Sequence, residues 1–252
     1  GAVSRGALPV RSGETARMTP AGRWQVEVLV PAHRIVLALE GERVVQLSAG
    51  DPVATFAAYR RLPDAVHGMI AWPNTMLLRG PATFVIDPGY QTQGDMLAAA
   101  LASKGLTPDA LDGVLMTHLH RDHLGAVRQL GRVPLWVHEA ELDTPYAAVQ
   151  SGLLDLVDVR VLRGDEGVVP PGVRWFHTPG HAPGHVAFVV DALEGRVVVA
   201  GDTLGPDPRW FAEDDPPADL PERDAHLAAY RRIRAVDPPI VVPGHDAPIT
   251  LE

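Results

Sequence analysis

Residues 118–123 read His-Leu-His-Arg-Asp-His, three imidazoles and a carboxylate within six positions. So dense a set of donors is costly to bury unless something satisfies them. It restricts the chain to folds that gather polar side chains at one rigid edge. An apolar run at 111–116 leads into the cluster, and Leu124, Val127 and Leu130 follow at helical spacing. The pattern predicts a strand, a ligand-bearing turn and a helix capped by Asp122. His118 and His120 alternate as on an extended segment and can face one ion, while Asp122 and His123 turn towards a second as the helix begins.

Three later turns carry matching groups, each behind a short strand-like run. Residues 173–176 lead to Thr178-Pro179-Gly180-His181, 196–200 to Gly201-Asp202, and 240–242 to Pro243-Gly244-His245. Glycine permits close backbone approach there, and proline limits the exits of the chain. The residues assign His118, His120 and His181 to one ion, Asp122, His123 and His245 to another, and Asp202 as the bridge. Imidazole and carboxylate donors suit two divalent ions, zinc first, with iron and manganese as chemical alternatives. Of the eleven histidines, any isolated one outside this set is equally well explained as a packed residue, so the set carries the argument. His185, four positions after His181, and His177 read as groups around the site. Asp87, in Ile86-Asp87-Pro88-Gly89, reads as a brace for the ligand loops or a cap of its own turn.

Composition narrows the partners. The formal charge is -9, Lys104 is the sole lysine, and no arginine-rich segment supplies the basic stripe of a nucleic-acid binder. A small-molecule substrate is expected instead, and a homo-oligomer stays open. No apolar run reaches the length of a membrane span. The absence of cysteine removes thiolate ligands, disulfides and a cysteine nucleophile, and agrees with the expected cytoplasmic location.

Strand-like runs occur at 24–30 and 34–39, joined by a turn at 31–33, then at 44–47, with a hairpin from 74–78 and 83–86. A helix over 96–101 ends at Lys104-Gly105. A strand at 134–138 precedes a helix over 139–150 that contains Pro145. Strands follow at 159–162, 173–176, 186–190 and 196–200, then a loop at 209–221, a helix at 222–236 and a last strand at 240–242. Two strand-rich halves with helices after the inner strands predict an α/β chain folded as a four-layer αββα sandwich. Residues 1–20 read as a tail or edge segment and 21–252 as one domain. Arg209 and Trp210 open the long loop and are expected to touch substrate, as loops beside a cleft do.

The run from His118 to His123 resembles the HxHxDH motif of the metallo-β-lactamase superfamily. The turns ending at His181, Asp202 and His245 resemble its later metal motifs, over roughly residues 20 to 250. The resemblance implies the αββα sandwich and a dinuclear hydrolytic centre, with His181 as third histidine of the first site, Asp202 as bridge and His245 as final ligand. The chain is similar to the glyoxalase II and lactonase side, since it lacks the cysteine of one major β-lactamase group. Diiron oxygen reductases usually carry glutamate where this chain has His120. The expected activity is attack of a metal-activated water on an ester, lactone or thioester, with Asp122 orienting the water and Asp202 joining the ions. A persulfide dioxygenase-like mononuclear iron oxidoreductase, a phosphodiesterase and a noncatalytic metal-stabilised binding module remain alternatives. Many acyl-homoserine lactonases have a tyrosine three residues after the bridging aspartate, where this chain has Gly205. Tyr90, Tyr146 and Tyr230 take no assigned place in that role.

Overall fold

Burial on both faces of the strands decides the architecture. The computed structural model describes residues 4–5, 23–40, 43–47, 66–207 and 209–251. Its strands are β1 (Ser4–Arg5), β2 (Gln25–Val30), β3 (His33–Glu40), β4 (Arg43–Leu47), β5 (Val66–Trp72), β6 (Thr75–Arg79), β7 (Thr83–Ile86) and β8 (Gly113–Leu115). They continue with β9 (Pro134–His138), β10 (Asp158–Leu162), β11 (Glu166–Val169), β12 (Val173–His177), β13 (Val186–Ala192), β14 (Gly195–Gly201), β15 (Ile240–Pro243) and β16 (Ile249–Thr250). The α-helices are α1 (Gly94–Ser103), α2 (Arg121–Leu124), α3 (Glu139–Leu142), α4 (Pro145–Val149), α5 (Ser151–Leu154), α6 (Arg209–Glu213) and α7 (Arg223–Ala235).

Two large sheets have the orders β1-β16-β15-β14-β13-β12-β11 and β10-β9-β8-β7-β6-β2, and a small one runs β4-β3-β5. Side chains alternate across a strand. Met76, Leu78, Phe84, Ile86 and Leu115 of one large sheet therefore share a core with Phe188, Val190, Val197, Val199 and Val242 of the other. The opposite parity, Leu77, Val85 and Val114, packs with Leu97 and Leu101 of α1. On the far face of the other sheet, Val189, Val198 and Val241 pack with Phe211, Tyr230 and Ile233 of α6 and α7. The result is the four-layer αββα sandwich.

Several local expectations are corrected. The helix over 139–150 is two short helices, α3 and α4, and α5 follows beyond it. Thr144 caps α4 by accepting from the Ala147 N–H at 3.2 Å, and Pro145 takes the first helical position, where its missing N–H costs nothing. The loop over 209–221 begins with α6, because Phe211 is buried against Tyr230, ring centroids 5.4 Å apart. The two strands on either side of the turn near 31–33 form as expected and join different partners: β2 joins β6, and β3 joins β4 and β5. Asp122 does not cap its helix. His120 holds the cap position with extended backbone, and Asp122 lies inside the first turn. Of residues 1–20, only Ser4–Arg5 lie within the described residues, as an edge strand on β16; the rest of the expected tail lies outside them. Among the described residues no helix is long and apolar enough to cross a membrane.

Candidate metal centre

The turns that carry donors leave the sheets in matched directions. β7 and β8 are parallel. β12 and β14 both oppose β13, and β15 runs with β14, so β12, β14 and β15 end on the same side. Asp87 follows β7, the 117–123 segment follows β8, and His181, Asp202 and His245 follow β12, β14 and β15. The last two turns come close enough only as glycine. A Cβ on Gly244 would stand 1.9 Å from Asp202 Oδ1, and one on Gly201, at φ 51°, would stand 2.8 Å from Thr117 Oγ1.

All seven expected donors meet. His118, His120 and His181 form one group, Asp122, His123 and His245 another, and Asp202 joins His118 and His123 in a third, with donor atoms within 4.8 Å in each group. His181 Nε2 lies 2.9 Å from His120 Nδ1 and 3.3 Å from Asp202 Oδ2. His245 Nε2 lies 3.1 Å from Asp122 Oδ2 and 3.3 Å from both Asp202 Oδ2 and His123 Nε2. Asp202 thus touches both sides of the cluster. Two nitrogens bound at 2.0–2.1 Å to one tetrahedral zinc stand about 3.3 Å apart, the scale of these separations. His118 Nε2, His120 Nε2 and Asp202 Oδ1 are buried with no hydrogen-bond partner. Buried polar atoms of this kind call for a missing partner, and the donor set fits bound metal.

Protons divide the same groups in the metal-free protein. Burial and neighbouring imidazoles hold His118 well below the ordinary histidine range. Burial and His181 bring His120 to about 4. Burial also works against a proton on His245, but Asp202 and the hydrogen bond to Asp122 outweigh it and raise the group to about 9. His123 is likewise raised, burial being overcome by Asp202, Asp87 and Asp122. Desolvation opposes ionisation of Asp202, yet His245, His123 and His181 hold it well below the carboxylate range.

Asp87 supports the site from behind. One carboxylate oxygen accepts from the Thr117 N–H at 2.9 Å, and the other meets Thr117 Oγ1 at 2.6 Å and His123 Nδ1 at 2.8 Å. That contact leaves His123 Nε2 facing the cluster. His185 is fully buried, its Nδ1 2.9 Å from Thr178 Oγ1, and its Nε2 accepts from the Asp202 N–H at 3.1 Å. Both ring nitrogens are engaged, so it braces Asp202 from the protein side. His177 lies apart: it bonds the Pro183 carbonyl at 2.7 Å and stacks on His138 at 4.3 Å. Arg209 turns back on Asp207 at 2.9 Å, and the Trp210 ring lies 2.7 Å from where a Cβ on Gly205 would be.

Two residues escaped the sequence reading. Tyr146, 47% exposed, sets its ring against His120 at 4.3 Å. Glu141, fully buried, bonds the backbone of two donor turns. The sequence carries no signal for either; their place follows from β9, which runs parallel to β8 and so delivers its own exit to the same side.

Comparison with known proteins gives a consistent picture. A family model described as the metallo-beta-lactamase superfamily matches residues 73–245. An N-acyl homoserine lactonase of Bacillus cereus is 27% identical over 161 residues, covering 62% of this chain and 64% of that protein. The match thus spans less than two thirds of that relative's length. A hydroxyacylglutathione hydrolase of Rhodopseudomonas palustris (strain BisA53) is 35% identical over 131 residues, covering 51% of this chain and 46% of that protein. Among solved structures, an N-acyl homoserine lactone hydrolase with the product N-hexanoyl-L-homoserine at its catalytic metal center aligns with a TM-score of 0.61 at 20% identity, over 86% of this chain and 89% of that chain. At that identity the likeness concerns the fold alone.

Proposed function

The chain belongs to the metallo-beta-lactamase superfamily, and from that premise we propose that it is a two-metal hydrolase that opens a lactone or thioester with an activated water. The observation that carries this reading is the position of Asp202, within 3.3 Å of His181 on one side and of His123 and His245 on the other. His118, His120 and His181 would hold one ion and Asp122, His123 and His245 the second, with Asp202 between them. Divalent ions bound there, zinc first among candidates, would acidify a water and polarise a carbonyl.

The chain's own residues supply orientation. Asp122 keeps 29% side-chain exposure and His181 28%, so the cluster is open on one side to a small molecule. A water there can donate a hydrogen bond to Asp122, which fixes its direction of approach to the carbonyl carbon. Asp87 and His185 fix the imidazole and carboxylate orientations from behind. Tyr146 stands at the edge of His120, where its ring can flank the acyl or ring portion of a substrate. Addition of water to the carbonyl carbon and rupture of the C–O or C–S bond give a hydroxy acid, or an acid and a thiol. The complete second donor group favours a metal pair over a mononuclear iron oxidoreductase.

The test is a panel of lactones, thioesters, simple esters and phosphodiesters, offered to chelator-stripped protein reloaded with zinc, manganese or iron. Lactone or thioester turnover is expected, dependent on added metal, and Asp202→Asn should reduce it by roughly a hundredfold or more while the protein stays folded. Sulfur-dependent oxygen uptake by the iron-loaded sample would overturn the hydrolase. Preferential phosphodiester cleavage would move the assignment to that class.

A further inference from the structure

Glu141 has no assigned part in metal binding or in the chemistry, yet its geometry is specific. It lies on α3 after β9 and is 0% exposed. Its Oε2 accepts from the Leu119 N–H at 2.7 Å, and its Oε1 accepts from the Gly184 N–H, also at 2.7 Å. Leu119 sits between His118 and His120. Gly184 lies three positions after His181, in the turn that returns to β13. The Leu119 carbonyl is taken as well, by the Gln150 side-chain amide. The peptide between the two leading histidines is therefore held by side chains from α3 and the segment after α4, not by a sheet ladder.

A buried carboxylate with two peptide donors from different turns fixes the distance between them, since each oxygen accepts along its own direction. The two turns joined are those of His118, His120 and His181. Among the described residues Glu141 makes no hydrogen bond to Asp122, His123 or His245. Asp87 reaches both halves: it holds His123 Nδ1 directly and His118 through Thr117, whose Oγ1 lies 3.0 Å from His118 Nδ1. Glu141 is thus the one-sided brace and Asp87 the shared one.

We propose that Glu141 is the positioning residue for one ion of the pair, holding His118, His120 and His181 in register by tying their two turns together, while Asp87 braces both halves. The idea rests on the two-metal reading above. Outer partners of metal ligands typically change affinity by about 10–100-fold when removed. Glu141→Gln keeps the shape but offers one acceptor oxygen and turns an NH2 group towards the second peptide donor.

Cobalt(II) titration of stripped protein, followed by its visible absorption and by metal content, separates the outcomes without measuring turnover. Wild type should take up two equivalents. Glu141→Gln should keep one at unchanged affinity and weaken the other about 10–100-fold, losing the spectral contribution of the three-imidazole group. Asp87→Asn, which loosens His123 directly and His118 through Thr117, should weaken both ions. Two unchanged affinities in Glu141→Gln, or equal weakening of both ions by it, would overturn the proposal. A wild type taking up fewer than two ions would instead remove the reading beneath it. Near-UV circular dichroism of the metal-free variants checks folding. Should Glu141→Gln fail to fold, Glu141→Asp, which keeps both oxygens on a shorter arm, should show the same one-sided loss to a smaller degree, and equal loss of both ions there would count against the role.

Discussion

In the proposed centre a proton and an ion would compete for His245. With the metal-free group raised to about 9, the proton must leave before an ion binds at neutral pH, and the same holds for His123. Affinity at Asp122, His123 and His245 should therefore fall as the pH drops below about 9, whereas His120, at about 4, leaves its own group free of that competition until strongly acid solution. Calorimetric metal titrations at pH 7 in two buffers of different ionisation enthalpy should reveal proton release with one of the two ions only. Tyr146 calls for a different measurement. Half exposed against His120, it should affect substrate more than metal, so Tyr146→Ala should lower kcat/KM by about tenfold, the loss expected from one aromatic contact, with metal content unchanged. A fall in bound metal would mean that the ring merely packs the ligand.

At the scale of elements, the turns behave as rigid parts. Gly244→Ala would drive a methyl group into Asp202 Oδ1, so both metal content and activity should drop, activity by roughly a hundredfold for a displacement near 1 Å. By contrast Ile233→Ala, in the α7 core away from the donors, should cost about 2–5 kcal/mol of stability, read by denaturant unfolding. Metal stoichiometry in the folded fraction should remain as in wild type. The donor-bearing turns were legible in the sequence because each sits directly behind a short strand-like run and keeps its ligands within a few adjacent positions. The supporting elements were not. Residues 139–150 have the spacing of one helix, and only the packing shows that Thr144 and Pro145 break it, which turns Glu141 inwards and leaves Tyr146 outside. The order of two strand-rich halves with helices after the inner strands anticipated four layers, but the separate β4-β3-β5 sheet depends on pairings that hydropathy does not encode.

For the molecule as a whole, the donors come from both halves of the sandwich. His118, His120, Asp122 and His123 follow a strand of one large sheet, and His181, Asp202 and His245 follow strands of the other. Binding to the folded form alone stabilises it by about 2.7 kcal/mol per site at a hundredfold excess over the dissociation constant. In a chain of this size that corresponds to a rise in Tm of about 5–10 °C per ion. Differential scanning calorimetry with and without chelator should show such a difference, reversed by zinc; an unchanged transition would argue against ions bridging the halves.

The two large sheets resemble the boards of a book, and the donor cluster clasps their fore-edge. Demetallation should leave the spine intact while the margin loosens, with amide protons at Thr117–Asp122 and Gly244–His245 exchanging faster and those of Val198 and Val241 hardly altered.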